Sequence, residues 1–120
     1  MKRILIVDDE VALRMLLTDS LEDLNCEVDE ASNGQEAYDQ ISQKDYDILV
    51  LDYMMPHMTG IDLLQKLEPN TLQDATIIML TAKTQTTDEQ VASEAGVDIF
   101  IKKPFSPLEF INLVEGLLND

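Results

Sequence analysis

Three stretches of the chain are apolar at every position or nearly so: Ile4-Leu5-Ile6-Val7, Ile48-Leu49-Val50-Leu51, and Ile77-Ile78-Met79-Leu80 following Ala75-Thr76. Runs this short and continuous predict strands buried on both faces. Residues 27–31 give a shorter, more polar strand near a sheet edge, and residues 97–101 give the last one. Between the strands the apolar period lengthens to that of a helix. Val11, Leu13, Leu16, Leu17, Leu21 and Leu24 form one stripe over residues 10–24. Asn33-Gly34 marks a turn or helix start, and Ala37, Tyr38 and Ile41 carry that helix to about Lys44. A loop with Pro56 and Gly60 leads to Ile61, Leu64 and Leu67, whose helix stops before Pro69. Residues 88–95 predict a fourth helix with Gly96 at its C-terminal cap. In the fifth, Ser106 caps, Pro107 takes the first position and Glu109 the third, and Leu108, Ile111, Leu113, Val114, Leu117 and Leu118 form the apolar face.

Five strands alternating with five helices predict a parallel sheet with helices on both faces and right-handed crossovers. Open sheets of this kind bind ligands beyond the carboxyl ends of their strands, where strand order reverses.

Composition narrows the class. With 120 residues, 45% hydrophobic and 27% charged, the chain fits one soluble domain over residues 1–120, with no repeat and no internal linker. It can bury a core without disulfides. No apolar run approaches the ~20 residues that span a bilayer, so no membrane partner is expected. Met1-Lys2-Arg3 begins like an export signal, but the apolar run after it ends at Asp8-Asp9-Glu10 after four residues. Cys26 is the sole cysteine, which fits a reducing cytoplasm. Eight Lys and Arg stand against 24 Asp and Glu, a net charge of −16, which argues against direct nucleic-acid binding by this chain. Most of that excess reads as a solvated acidic surface, unless some of it gathers around a cation.

The strand ends supply that gathering. Asp8 and Asp9 follow the first strand, Asp52 the third, Thr81 the fourth, and Lys102, Lys103 and Pro104 the fifth. Clustered carboxylates repel one another and call for a hard divalent cation; Mg2+ takes one or two carboxylates, waters and a phosphate oxygen. An ionised Asp can attack phosphorus to give an acyl phosphate. A metal and Lys103 would stabilise the equatorial oxygens of the transferring group, and Thr81 could donate to one of them. Each residue alone has a plainer reading: Asp8-Asp9 as a helix-capping pair, Asp52 as a loop residue, Thr81 as a strand end, Lys103 as a solvated lysine. Four strand ends carrying them in order favour the joint reading.

Ile4-Leu5-Ile6-Val7-Asp8-Asp9-Glu10, Leu51-Asp52-Tyr53-Met54-Met55-Pro56-His57-Met58-Thr59-Gly60, Met79-Leu80-Thr81-Ala82 and Ile101-Lys102-Lys103-Pro104-Phe105 together resemble the receiver domains of bacterial two-component response regulators, the chemotaxis receiver type included. The resemblance implies a flavodoxin-like, doubly wound (βα)5 fold with strand order 2-1-3-4-5, an order general accounts of this fold already give for the chemotaxis receiver. It implies that Asp52 accepts the phosphoryl group and that Asp8, Asp9, Asp52 and the Met54 backbone carbonyl hold Mg2+ (Mn2+ being an admissible substitute), Asp9 more directly than Asp8. It implies that Lys103 pairs with the phosphoryl group, aimed by a cis peptide bond to Pro104. Thr81 and Phe100 resemble the switch pair that moves inward on phosphorylation; plain core packing is the alternative for Phe100. Lys83 and Met54 occupy positions that, by the same resemblance, tune the lifetime of the phosphorylated state in that family. Tyr53 is bulkier than the aliphatic residue expected beside the acceptor, a size that narrows access. His57 reads as a solvated loop residue, and Met54, Met55 and Met58 as loop packing.

The implied function is a phosphorylation-dependent signalling switch in a two-component phosphorelay. A sensor histidine kinase or histidine phosphotransfer protein donates, and an output protein or domain reads the surface of the fourth helix, fifth strand and fifth helix. Such a switch assists its own phosphorylation and dephosphorylation and is not a turnover enzyme. A haloacid-dehalogenase-type phosphatase would want an acid where Met54 stands. A flavin carrier would want a Ser/Thr/Gly-rich loop where Asp8-Asp9-Glu10 stands, and an unphosphorylated binding module would not need Asp52, Lys103 and Thr81. Both a stand-alone regulator and a receiver cut from a longer DNA-binding transcriptional regulator fit the chain, and residues 103–109 lean towards the latter.

Overall fold

A computed structural model describes residues 1–68, 70–82 and 89–119. In chain order the elements are β1 (Lys2–Val7), α1 (Val11–Ser20), β2 (Cys26–Ala31), α2 (Gly34–Gln43), β3 (Ile48–Asp52), β4 (Met54–Met55), β5 (Met58–Thr59), α3 (Gly60–Lys66), β6 (Thr76–Ala82), α4 (Glu89–Glu94), β7 (Ile99–Lys103) and α5 (Pro107–Leu118). Five strands form one sheet in the order β2-β1-β3-β6-β7, every neighbouring pair parallel. With the two-residue ribbon β4-β5 set aside, this is the 2-1-3-4-5 order of a flavodoxin-like (βα)5 fold.

The two-faced burial predicted for the central strands follows from their twofold side-chain alternation. Leu5, Val7, Leu49, Leu51, Ile77 and Met79 point to one face, where Ala37 and Ile41 of α2, Ile61, Leu63 and Leu64 of α3 and Ala92 of α4 cover them. Ile4, Ile6, Ile48, Val50, Ile78 and Leu80 point to the other, against Leu17 of α1 and Phe110 and Val114 of α5. The more polar β2 lies at the edge, as its composition predicted.

Helix ends are set by side chains that satisfy free backbone amides. Asn33 caps α2 by accepting from the Glu36 amide at 2.8 Å. Thr59 and Asp62 form a reciprocal capping box on α3, at 3.1 and 3.0 Å. Ser106 Oγ accepts from the Leu108 amide, with Pro107 opening α5.

Three boundaries differ from the sequence reading. Helix α1 stops at Ser20, although the apolar stripe runs on, because residues 21–24 tighten into i→i+3 turns that still bury Leu21. The last strand begins at Ile99 and not at 97. Val97 is taken by a Schellman closure of α4: its amide bonds the Ala92 carbonyl, the Gly96 amide bonds Ser93, and Gly96 has φ +113°. Finally, Asp52, Thr81 and Lys103 lie at the last or next-to-last residues of their strands, paired in the ladder, and not beyond them.

Candidate functional site

The ends of β1, β3 and β7 bring three acids and a lysine together, on the sheet edge where β6 also ends. One carboxylate oxygen from each of Asp8, Asp9 and Asp52 lies within 4.8 Å of the other two. The Lys103 ammonium donates to Asp52 Oδ1 at 3.1 Å and stands 3.8 Å from Asp8 Oδ2. Thr81 is buried two strands' width from β1 on the same edge, with Lys102 as its ladder partner. Phe100, half-buried, packs against the core cluster on the α2–α4 face. The Lys103–Pro104 peptide bond is cis.

Backbone contacts hold the two acid-bearing strand ends. The Asp8 amide bonds the Ala31 carbonyl at 3.1 Å, and its Oδ1 accepts from the Glu10 amide at 2.9 Å. Asp8 therefore does part of the helix-entry work that the plainer reading gave it. Its other oxygen, Oδ2, is buried without a hydrogen-bond partner among the described residues. At the second strand end, the Tyr53 amide bonds Leu80 O and its carbonyl accepts from Gly60 at 2.7 Å. A Cβ on Gly60 would come within 2.9 Å of the Asp52 carbonyl oxygen, so only glycine lets α3 start this close to the acceptor strand.

Burial and like charge set the electrostatics. Among the described residues, three carboxylates gather around the Lys103 ammonium. Desolvation, then the Asp8 charge, pushes the Asp52 carboxyl up to about 6, against the pull of Lys103. Desolvation likewise raises Asp8, opposed by the Glu10 amide and by Lys103. The pocket thus resists its own ionisation, and a cation relieves that resistance. The donors are all hard carboxylate oxygens, and the unpartnered Asp8 Oδ2 is a ready ligand atom, a set that fits Mg2+.

Among the remaining residues singled out by sequence, Met54 opens the ribbon with its side chain exposed, Met55 is buried and Met58 half-buried. His57 is exposed at the ribbon's turn with φ 68°, which agrees with a solvated loop residue. Tyr53 packs on the core beside the acceptor. Lys83 lies outside the described residues. Sequence reasoning missed Arg14: its guanidinium donates from Nη1 to the Asp8 carbonyl at 2.6 Å and from Nε to Glu30 Oε1 at 3.1 Å. No local pattern signals it, since these contacts join α1 to two strand ends.

A parallel sheet of this order with three acids and a lysine at its switch point defines a flavodoxin-like α/β protein with a charged pocket suited to a cation and an anion together. Residues 4–115 match the sequence model of the response regulator receiver domain, and the chain belongs to that family. Receiver domains are phosphorylation-dependent switches of two-component signalling. The chain is 46% identical over 115 residues to the transcriptional regulatory protein SrrA of Staphylococcus aureus (strain NCTC 8325 / PS 47), covering 96% of this chain and 47% of that protein. It thus spans about half the length of the curated relatives it matches. Among solved structures it is similar to the chemotaxis response regulator CheY4 of Vibrio cholerae (TM-score 0.87, 27% identity, 98% of each chain). It is also similar to the receiver domain of the Francisella response regulator 1452 (TM-score 0.85, 29% identity, 99% of this chain and 98% of that one). No helix among the described residues is long and apolar enough to cross a membrane.

Proposed function

We propose that residues 1–120 form one receiver domain in which Asp52 takes a phosphoryl group from a phosphohistidine on a sensor kinase or phosphotransfer protein. The observation that carries this is the convergence of Asp8, Asp9, Asp52 and Lys103 on one pocket. Asp8, Asp9, Asp52 and the Met54 carbonyl would hold Mg2+, which when bound neutralises charge on the phosphoryl oxygens. An ionised Asp52 oxygen attacks phosphorus, and the bond to the donor imidazole nitrogen breaks with its electron pair leaving on that nitrogen. Lys103 donates to a phosphoryl oxygen and restrains the Asp52 side chain before attack. Thr81 donates to another phosphoryl oxygen, and Phe100 follows it inward, which biases the surface of α4, β7 and α5 toward the form an output partner binds. Water attack on the acyl phosphate then restores Asp52. The domain acts on itself and turns over no free substrate.

Docking of a protein donor is supported by α1, which leaves the acidic loop with Val11, Met15 and Leu16 about half exposed. Val11 and Met15 share a face at i, i+4 spacing. Such a stripe beside the acceptor suits an apolar helix face on the donor. The phosphatase reading finds no support at Met54, an exposed thioether where a general acid is needed. A second reading has its own observation: identity to about half of a transcriptional regulator favours a receiver whose output is a DNA-binding segment elsewhere in a longer chain. A cytoplasmic setting follows from either.

The test is incubation with a small phosphodonor and Mg2+, followed by mass spectrometry of the native chain and of Asp52→Asn. A gain of one phosphoryl group in the native chain alone is expected. The same gain in the variant would reject Asp52 as acceptor.

A further inference from the structure

We propose that Arg14 is a positioning residue for the cation site, a clamp that fixes the acidic loop by bridging the Asp8 carbonyl and the Glu30 carboxylate. The inference rests on the reading of Asp8, Asp9 and Asp52 as a Mg2+ site.

The loop at residues 8–10 carries two of the three acids and has few restraints of its own. Asp8 is held at its amide by Ala31 O and at Oδ1 by the Glu10 amide, which leaves its carbonyl and Oδ2. Arg14 takes the carbonyl at 2.6 Å, shorter than the 2.9 Å and 3.1 Å bonds at Oδ1 and the amide. Its Nε is anchored on Glu30, a residue of β2 next to Ala31, so the loop is tied twice to the same strand end. The Arg14 side chain is only 15% exposed, and its own helix fixes its root, since the Arg14 amide bonds Glu10 O at 2.9 Å. With amide, carbonyl and Oδ1 all engaged, Asp8 presents a single free oxygen toward Lys103 and Asp52. Outer groups that orient ligands in this way commonly change metal affinity ~10–100-fold when removed. A planar guanidinium can span two acceptors at fixed separation, which a lysine ammonium cannot do.

Positioning and plain electrostatics predict opposite signs. Arg14 is a positive charge close to a cation site. If charge were its whole effect, removing it would tighten Mg2+ binding. A clamp predicts that removal loosens it.

The test is calorimetric titration of Mg2+ into the full chain and its variants, with thermal unfolding recorded on the same samples. Arg14→Met should raise the Mg2+ Kd ~10-fold, and Arg14→Lys, which keeps the charge, should raise it as well. Phosphorylation by a small donor should recover toward the native rate when Mg2+ is raised to saturation, a split that general loss of structure would not give. A folded Arg14→Met protein whose Kd is unchanged or lower overturns the proposal. Should Arg14→Met not fold, Arg14→Lys decides by the same criterion. A native chain that takes up no Mg2+ removes the cation-site reading and the clamp with it, whereas an unchanged or lower Kd in the variants removes the clamp alone.

Discussion

Replacing Asp52 with asparagine should stabilise the metal-free protein at neutral pH. Burial and the Asp8 charge lift the Asp52 carboxyl from an ordinary 3.8 to about 6. Between those values the folded chain binds more protons than the unfolded one, so stability falls as pH rises, and above about 6 the loss is complete. At about 1.4 kcal/mol per pH unit, the ionised group costs the fold about 3 kcal/mol at pH 7. Asparagine keeps the shape and an oxygen for Lys103 but carries no charge. It also loses the attraction to that ammonium and adds an amide with its own hydrogen-bonding needs, so a net gain of about 1–3 kcal/mol is expected. By pH 5 the native Asp52 is mostly protonated in the folded state, and the advantage of the variant should shrink by about 1.4 kcal/mol. The chain has no tryptophan, so urea unfolding is followed by circular dichroism, in EDTA, at pH 7 and pH 5, clear of the isoelectric region near 4.1. A variant less stable than the native chain at pH 7, or one whose advantage is the same at both pH values, would refute the electrostatic account of the pocket.

Further outcomes follow from the same geometry. Lys103→Met removes the ammonium 3.1 Å from Asp52 and should slow phosphorylation by a small donor about 10²-fold at saturating Mg2+; stopped-flow or quenched mass measurements read this directly. Gly60→Ala sets a Cβ 2.9 Å from a backbone oxygen that cannot give way and should cost about 1–3 kcal/mol in urea unfolding. Gly34→Ala meets the flexible Met58 side chain and should cost under about 1 kcal/mol in the same assay. Because Mg2+ must displace the proton that Asp52 holds below about 6, its Kd should rise about tenfold between pH 7 and pH 5. Titration calorimetry at the two pH values shows it, and a pH-independent Kd would remove Asp52 from the ligand set.

What could be read in advance was whatever the apolar pattern alone decides. Ile4 to Val7 and Ile48 to Leu51 are buried on both faces because both faces of the sheet are covered, and that forces Asp8-Asp9 and Asp52 onto its carboxyl edge. The parallel ladder then brings Lys103 to the same edge without any sequence proximity. The strand order itself, and the roles expected of Thr81, Phe100 and Met54, came from family resemblance and not from periodicity. Other features depend on contacts that no window of sequence contains. Arg14 looks like an ordinary polar position of an amphipathic helix until α1 is laid beside β2. Gly60 looks like a loop glycine until the Asp52 carbonyl is beneath it. The two-residue shift of the last strand arose because Val97 suits a strand by type but was consumed in closing α4.

These observations tie three properties of the pocket to one another. Desolvation and mutual repulsion make the ionised acids costly to the fold; in the proposed function the same ionised acids bind the cation, and an ionised Asp52 attacks phosphorus. Linkage is reciprocal: a cation that prefers the charged pocket lowers the Asp52 carboxyl by the factor through which deprotonation raises its own affinity. On the proposed function, readiness of Asp52 for attack is therefore set by cation occupancy together with pH. Lys103 alone cannot substitute for the cation, because one ammonium is shared between Asp52 and Asp8 and leaves Asp8 at 3.8 Å. An arrangement whose charged form costs stability gains from each event that adds positive charge or fixes a ligand.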